Sequence, residues 1–538
     1  MNKMTNMGKL AKSIANLPWW RGATIYQIYP RSFKDSNNDG IGDLKGITEK
    51  IEYIASLGVD AIWISPFFTS PMKDFGYDVA DFCGIDPMFG TMQDFENLLH
   101  KAHDCGLKVI IDQVYSHTSD AHAWFTQSRE SKDNPKSDWY VWADPKPDGS
   151  PPNNWQSVFH GCSWEWDARR NQYYFHNFLP EQPDLNLHNP EVQNAIIDVA
   201  KFWLEKGVDG FRLDALNFGM HDPQLRDNPV NPRPGPRTRP FDYQDKIYSM
   251  SHPDIPAFLE RLAALINSYE GRFTVAEVGG ELALTEMKTF TQGDKRLNTA
   301  YGFKFLYAEE LTKDLVIQSL NEWNNQGFDE WPSYAFSNHD APRAISRWAK
   351  GRDLGDMARF CAVLLASLRG NIFLYQGEEL GLEQADVPFE RLVDPEAIKN
   401  WPKTLGRDGA RTPMIWDDAE DAGFGASNPW LPIDKRHFDK SVAVQEKDKN
   451  SILNFTRNIL NIRQTNGALL WGDLEIIETK GDVLIICRKY DGDVIHCIFN
   501  FGDTEIAAPE VNSFGEILLA VNGANQKIIP ALGALIIK

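Results

Sequence analysis

Cysteine is scarce in this 538-residue chain and is never paired. The six cysteines, Cys83, Cys105, Cys162, Cys361, Cys487 and Cys497, are scattered with no C-x-x-C spacing. Neither a zinc site nor a disulfide framework is therefore suggested, and all six read as reduced thiols. Long apolar runs are also missing: no stretch reaches the ~18 consecutive residues of a membrane span. The first twenty residues are weakly basic and lack the continuous apolar segment and small-residue cleavage site of a secretory signal. A soluble, cytoplasmic protein with no membrane partner is expected. Positive charge is short as well, since 55 Lys and Arg face 75 Asp and Glu, for a formal charge of -20. That balance argues against nucleic acid as a partner, because phosphate binding needs basic patches. A neutral or cationic small ligand fits better. What remains is ordinary globular composition, 42% hydrophobic and 24% charged, enough for one large domain with one or two smaller ones.

The most informative stretch is GVDGFRLDA, Gly207 to Ala215. In a strand, Arg212 and Asp214 sit on alternate positions and face the same way. An arginine that close holds a carboxylate ionised, the state a carboxylate nucleophile needs. An ordinary buried ion pair is the competing reading of this stretch alone.

Along the chain, TIYQIYP (Thr24 to Pro30) reads as a strand. Behind it, DSNNDGIGD places Asp35, Asn37 and Asp39 on alternate positions, then Gly40 for a sharp turn, the backbone of Ile41, and Asp43. This is the opening of a hard-cation loop, although Gly46 stands where a helix-loop-helix site would carry Glu. One structural divalent cation is expected, Ca2+ or Mg2+. A helix over Ile47 to Leu57 leads to a strand over Asp60 to Pro66, and a helix over Thr91 to Cys105 to a strand over Lys108 to Val114. Alternation at this tight spacing predicts a parallel sheet covered by helices. Residues 115–182 break the rhythm and read as a small inserted domain. Asn189-Pro190-Glu191 opens a helix to Lys206 that feeds the Asp214 strand. Further strands are expected at Arg272 to Gly279, more weakly at Phe303 to Leu306, at Tyr334 to Asp340, and at Asn371 to Gln376. A Pro-rich loop spans Asn228 to Pro240.

Eight such strands close a (β/α)8 TIM barrel of residues 1–114 and 183–377, with a last helix at about 450–465. Its site lies at the C-terminal ends of the strands. Residues 378–449 form a polar insertion containing GRDGARTPM. In residues 466–538, the runs VLIICRKY and VIHCIFN flank Asp491-Gly492, a hairpin signal that predicts a C-terminal antiparallel β-sandwich domain.

Three carboxylates, Asp214, Glu277 and Asp340, end predicted barrel strands, accompanied by Arg212, His117 and His339. Acetal cleavage through a covalent intermediate needs one ionised carboxylate and one protonated carboxyl on opposite sides of the bond, and a third carboxylate raises the acid's pKa. With DQVYSH (Asp112 to His117), QPDLN (Gln182 to Asn186), GFRLDA, AEVG (Ala276 to Gly279) and SNHD (Ser337 to Asp340) in order, the chain resembles an α-amylase-superfamily glycoside hydrolase (family 13) of the α-glucosidase and oligo-1,6-glucosidase type.

The resemblance implies Asp214 as nucleophile, Glu277 as acid/base and Asp340 as stabiliser of the distorted sugar. It also implies Asp74, His117, Arg212, His339 and Arg411 as polar contacts of a terminal glucose and Tyr77 as its stacking platform. Phe159 and Phe178 are aromatic walls or, equally, core packing. The family's metal loop matches Asp35, Asn37, Asp39, Ile41 and Asp43. Ser116 stands where many α-amylases carry the Asn of a second calcium site, which favours a glucosidase. Ala215 stands where α-1,6-preferring enzymes tend to carry Val. The expectation is an exo-acting, retaining enzyme for short α-glucosides and malto-oligosaccharides, as monomer or homodimer. It prefers α-1,4 to α-1,6 links and is capable of transglucosylation. Sucrose isomerases, trehalose-phosphate hydrolases and transglucosidases share these motifs; non-catalytic transporter-associated relatives resemble the fold but carry a membrane span and lose the carboxylates, and this sequence shows neither trait.

Overall fold

The computed structural model describes residues 17–233, 237–324, 330–404, 406–426, 428–477, 481–509 and 515–538. Most of the N-terminal stretch read for a leader, and residues 234–236 of the Pro-rich loop, lie outside the described residues.

Eight strands form one parallel sheet: β1 (Thr24–Ile28), β2 (Ala61–Ile64), β3 (Lys108–Val114), β4 (Gly210–Asp214), β5 (Phe273–Val278), β6 (Thr299–Gly302), β7 (Ser333–Ala335) and β8 (Asn371–Tyr375). Their order is β6-β5-β4-β3-β2-β1-β8-β7. The remaining seam, β6 to β7, is closed by side chains. Thr299 Oγ1 donates to the Trp331 carbonyl at 2.6 Å and lies 2.9 Å from Ser333 Oγ. The result is a TIM barrel. Its interior is filled by Ile25, Trp63, Ile110, Val275, Tyr301 and Phe373, a packed core and not a channel. The outer faces of the strands pack on the helices in a second, larger apolar layer.

Local signals explain the helices that frame the site. Thr91 and Asp94 make a reciprocal capping box at the start of α1 (Met92–Asp104). Asn189 caps α2 (Pro190–Glu205), whose first residue is the proline. The helix α3 (Ile255–Ile266) follows β4 and its long loop, α4 (Leu354–Ser367) precedes β8, and Ser451 caps α5 (Ile452–Gln464). Buried Arg463 of α5 donates to the carbonyls of Gly22, Ala366, Leu368 and Gly370, riveting α5 across the bottom of the barrel.

Three expectations need correction. The helix drawn over Ile47 to Leu57 is two short helices, Leu44–Glu49 and Ile51–Ser56, because Lys50 leaves helical geometry at φ -104, ψ 4. The weaker strand over Phe303 to Leu306 lies earlier, at Thr299–Gly302, where Ala300 and Tyr301 pair with β5. Phe305 and Leu306 are buried without being extended, so apolar burial there imitates a strand. The strand over Tyr334 to Asp340 stops at Ala335, and Asp340 sits in the turns beyond it.

Residues 115–182 contain a helix, Ala123–Ser128, and a three-stranded antiparallel sheet with Gln172–Phe175 in the centre. At the C-terminus, β9 (Asp473–Ile477), β10 (Val483–Tyr490), β11 (Asp493–Asn500), β12 (Ile517–Val521) and β13 (Ala534–Ile537) make an antiparallel sheet in the order β9-β10-β11-β13-β12. The β10–β11 hairpin pairs Tyr490 with Asp493 around a two-residue turn, with Asp491 at φ 49 and Gly492 at φ 84. Two successive left-handed residues match the twist of the strands, which is what the Asp-Gly pair encodes.

Candidate active site

The floor of the site follows from strand register. Arg212 of β4 lies opposite Asp112 of β3 and Val275 of β5, and Asp214 is two residues further on, facing the same way. Arg212 is fully buried. Its Nη1 donates to Asp112 at 2.8 Å and Asp214 at 2.5 Å, Nη2 pairs with Glu277, and both Nε and Nη2 contact the Tyr301 hydroxyl. The Trp63 ring lies 4.8 Å from the guanidinium carbon. One planar cation therefore organises three carboxylates, a role that a point-charge lysine could not fill.

After Asp214 the chain turns sharply. Ala215 has φ 40, ψ 42, and its N–H points at Glu277 Oε2, 3.3 Å away. This left-handed residue presents the Asp214 side chain at the end of the strand and links it to Glu277.

Across the floor, the Tyr77 hydroxyl donates to Asp112 at 3.0 Å and lies 2.5 Å from His339 Nε2, with the two rings stacked at 5.3 Å. Asp340 Oδ2 lies 3.1 Å from His339, and its Oδ1 accepts from Arg411 at 2.7 Å and Arg407 at 3.4 Å. Arg407 also pairs with Asp74 and Asp394, each at 2.8 Å. Gln182 donates to Asp74 at 3.2 Å and lies 3.1 Å from His117.

These groups surround a cavity of about 360 Å³ at the C-terminal mouth of the barrel, within the usual range for small ligands. Asp74, Tyr77, His117, Phe159, Phe178, Asp214, Glu277 and Asp340 all line it. The structure thus brings the three carboxylates to one cavity, with Phe159 and Phe178 as wall residues in ring contact with each other at 5.9 Å. Arg212, His339 and Arg411 are placed differently. Each is fully buried beneath the lining. For all three this departs from the expectation of a direct sugar contact, because none lines the cavity; Arg411 donates through Nε to the His339 carbonyl and through Nη2 to Asp340, each at 2.7 Å. The cation from this run that does line the wall is Arg407, four residues earlier in the same GRDGAR stretch and passed over in the sequence. Both arginines lie two residues from Gly409, and the fold is what distinguishes them. Arg239, Asp242, Lys246, Tyr307 and Glu396 complete the mouth and carried no motif signal.

The electrostatics follow from burial and an excess of carboxylates. Burial raises Asp214 and Glu277 each to about 7; Arg212 opposes the rise and neighbouring carboxylates add to it. Burial likewise raises Asp112 to about 6 against Arg212. One guanidinium cannot neutralise three carboxylates, so a proton is retained among them near neutral pH. Asp340 goes the other way. Burial alone would raise it, but His339, Arg411 and Arg407 hold it well below the usual carboxylate range. Because burial keeps His339 itself neutral, the two arginines supply that charge. Burial also pushes His117 down to about 4, leaving it a neutral hydrogen-bonding group.

The acidic loop after β1 lies away from the cavity. Asp35 accepts from the N–H groups of Asn37, Asn38 and Gly40, Asp39 from that of Ile41, and Asp43 from Ser36 and Gly46, the last as the cap of helix Leu44–Glu49. Asp35 and Asp43 are buried, and none of the three loop carboxylates pairs with Arg among the described residues; Lys34 donates instead to the Asp35 carbonyl at 2.8 Å. Buried acidic oxygens with no basic partner, joined by the Asn37 amide oxygen and the Ile41 carbonyl, have the donor chemistry of a hard dication. The three carboxylates do not converge on one another as closely as 4.8 Å, so the neutral oxygens would have to contribute to such a site.

A parallel barrel whose mouth holds a cavity walled by carboxylates, arginines and aromatic rings defines a carbohydrate-active barrel enzyme. The family model described as alpha amylase, catalytic domain, matches residues 27–472, and the chain belongs to that family. It is 50% identical over 501 residues to a probable alpha-glucosidase of Rhizobium meliloti (strain 1021), covering 92% of this chain and 91% of the relative. Identity to the oligo-1,6-glucosidase of Heyndrickxia coagulans is 39% over 540 residues, covering 93% and 95%. Among solved structures, it is similar to the alpha-glucosyl transfer enzyme XgtA (TM-score 0.91, 46% identity, covering 97% and 100%). It also resembles the trehalulose synthase MutB of Pseudomonas mesoacidophila MX-45 (TM-score 0.90, 31% identity, the same coverage). The protein is a glycoside hydrolase of the glucosidase type. Among the described residues, no helix is long and apolar enough to cross a membrane.

Proposed function

We propose that the protein is a retaining, exo-acting α-glucosidase that removes terminal glucose from short α-glucosides and malto-oligosaccharides. It prefers α-1,4 to α-1,6 links and transfers glucose to sugar acceptors as a side reaction. One observation carries this reading: Arg212 touches both Asp214 and Glu277 at the floor of the cavity. A single guanidinium bridging two carboxyls favours the ~5–5.5 Å spacing of a double displacement over the ~6.5–9.5 Å that accommodates a water in an inverting site.

With the proton that the floor retains placed on Glu277, Asp214 is the ionised partner beside Arg212 and attacks the anomeric carbon. Glu277, raised to about 7 by burial against Arg212, donates its proton to the leaving oxygen. The glycosyl–Asp214 ester is then opened by water, from which Glu277 recovers its proton, and the anomeric configuration is inverted twice. Asp340, permanently ionised by Arg411 and Arg407, accepts from sugar hydroxyls and attracts the positive charge of the oxocarbenium-like transition state. Asp74, His117 and Arg407 bind the remaining hydroxyls of the terminal ring, and Tyr77 offers its face. We assign the acidic loop one structural Ca2+ or Mg2+, held by Asp35, Asn37, Asp39, Ile41 and Asp43, which supplies charge balance and no chemistry.

A second reading, predominantly glucosyl transfer, is favoured by the similarity to XgtA, since the same ester can be opened by a sugar hydroxyl. The test is a product panel on maltose, maltotriose, isomaltose, sucrose and trehalose. Glucose released fastest from maltose supports the proposal. Isomaltose cleaved far faster than maltose overturns the linkage preference, and disaccharide products outweighing glucose at low substrate favour the transferase.

A further inference from the structure

Outside the cavity, one group of His, Cys, Asp or Glu side chains among the described residues brings three ligand atoms within 4.8 Å of one another: His188, His252 and Asp254. His188 directly precedes Asn189, the cap of α2, while Asp254 is the residue before α3. Three further observations point to a ligand there. First, His188 Nε2 lies 2.7 Å from the His221 carbonyl oxygen. A carbonyl only accepts, so Nε2 carries the hydrogen and the free lone pair is on Nδ1. Backbone orientation of the second nitrogen is how metal-binding histidines are held. Second, His252 Nδ1 and Asp254 Oδ2 are 3.7 Å apart, a few tenths of an ångström wider than the ~3.3–3.4 Å edge of a tetrahedron built on bonds of ~2.0–2.1 Å, and the long 3.3 Å hydrogen bond that Nδ1 accepts from the Asp254 N–H is one that an ion would replace. Third, Asp254 makes no cap hydrogen bond with its side chain, so its carboxylate has no structural duty at the helix start.

A plain His252–Asp254 ion pair is the competing explanation, and their 3.7 Å separation is too long for the hydrogen bond that would hold such a pair together. Two helix starts disfavour a bare cation, which makes the Asp254 charge indispensable.

We propose that His188, His252 and Asp254 form a second cation site, for a first-row transition-metal dication such as Zn2+, with water as the fourth ligand. Imidazole and carboxylate donors suit such an ion, whereas the all-oxygen loop at Asp35 to Asp43 suits Ca2+ or Mg2+. The ion would tie the starts of α2 and α3 together. Through the His188–His221 hydrogen bond it would also brace the segment that follows Asp214.

The test uses untagged full-length protein, stripped with chelator, resupplied with Ca2+ and then titrated with Zn2+ by calorimetry and with Co2+ by visible absorbance. One equivalent of Zn2+ per chain and the intense bands of tetrahedral Co2+ are expected. Asp254→Asn, which removes no cap, and His252→Gln should each weaken uptake by about tenfold or more and abolish the Zn2+-induced rise in Tm, while hydrolysis of a chromogenic α-glucoside without added Zn2+ stays unchanged. The proposal fails if wild type takes up no stoichiometric Zn2+, or if both variants bind it as tightly as wild type.

Discussion

Replacing Glu277 by glutamine should stabilise this protein at alkaline pH while disabling it. Glu277 is displaced from the ordinary 4.5 to about 7 by burial and by Asp214 and Asp340, with Arg212 opposing. Between those two values the folded protein keeps a proton that the unfolded chain has released, so stability falls as pH rises across the window. Above about 7 the full cost is present. At 1.36 kcal/mol per pH unit the cost is about 3 kcal/mol at pH 8 and under about 1 kcal/mol at pH 5. Glutamine removes it and keeps an acceptor for the Tyr301 hydroxyl, which now donates to Glu277 at 3.1 Å. Arg212 remains paired with Asp112 and Asp214. The amide nitrogen facing the Ala215 N–H takes back a fraction, leaving a gain of about 2–3 kcal/mol. For a chain of 538 residues unfolding as one unit, with about 2.1 cal/mol/K per residue, that is a rise in Tm of about 2–3 °C at pH 8. Calorimetry of both proteins at pH 5 and pH 8 checks it. A Tm that is unchanged or lower at pH 8, or an equal rise at pH 5, would refute the claim that uncompensated negative charge on the cavity floor carries a stability cost.

Other expected outcomes follow from the same geometry. Asp214→Asn should lower kcat by about 10³-fold or more with little change in far-UV circular dichroism, because Arg212 keeps Asp112 and Glu277. Arg407→Ala should lower kcat/KM by about 10²-fold and leave Asp74 and Asp394 buried without their shared cation, so a fall in Tm should accompany it. The log kcat/KM profile should fall on the alkaline side of about pH 7, where Glu277 loses its proton; a plateau to pH 9 would contradict the assignment. Ala215→Val puts a β-branched residue at φ 40, costing about 1–3 kcal/mol, and should raise the isomaltose to maltose ratio of kcat/KM. In protein loaded with Ca2+ alone, chelation with EDTA should lower Tm without altering KM, and Asp43→Ala should lose both that response and the cap on helix Leu44–Glu49.

Much of the barrel was legible because its strands carry their own signals. Lys108 to Val114 carries the apolar run Val109-Ile110-Ile111 and a closing Val114 between Gly106 and a polar loop, and β3 occupies those seven residues. Asp214 and Arg212 were readable as neighbours because alternation in a strand needs no tertiary information. The β10–β11 turn was equally local, since Asp491-Gly492 is chemistry that few other turns accept. Where distant pairing decides, the reading slipped. Thr299–Gly302 is a weak strand former held by β5 and by the Thr299 seam, while the more strand-like Phe303 to Leu306 simply packs. Lys50 interrupts a run whose helical spacing is sound on either side. Choosing Arg411 over Arg407 failed for a similar reason: a position beneath a cavity and one in its wall look alike in a linear sequence, and only the positions of Asp74 and Asp394, which pair with Arg407 alone, separate them.

The central claim, a double displacement through Asp214, is tested most directly by the anomer first released. Proton NMR of the products from maltose or a chromogenic α-glucoside, recorded before mutarotation, should show α-glucose in wild type and no turnover in Asp214→Asn. β-Glucose as the first product would mean single displacement, and the assignment of Asp214 as nucleophile would be wrong.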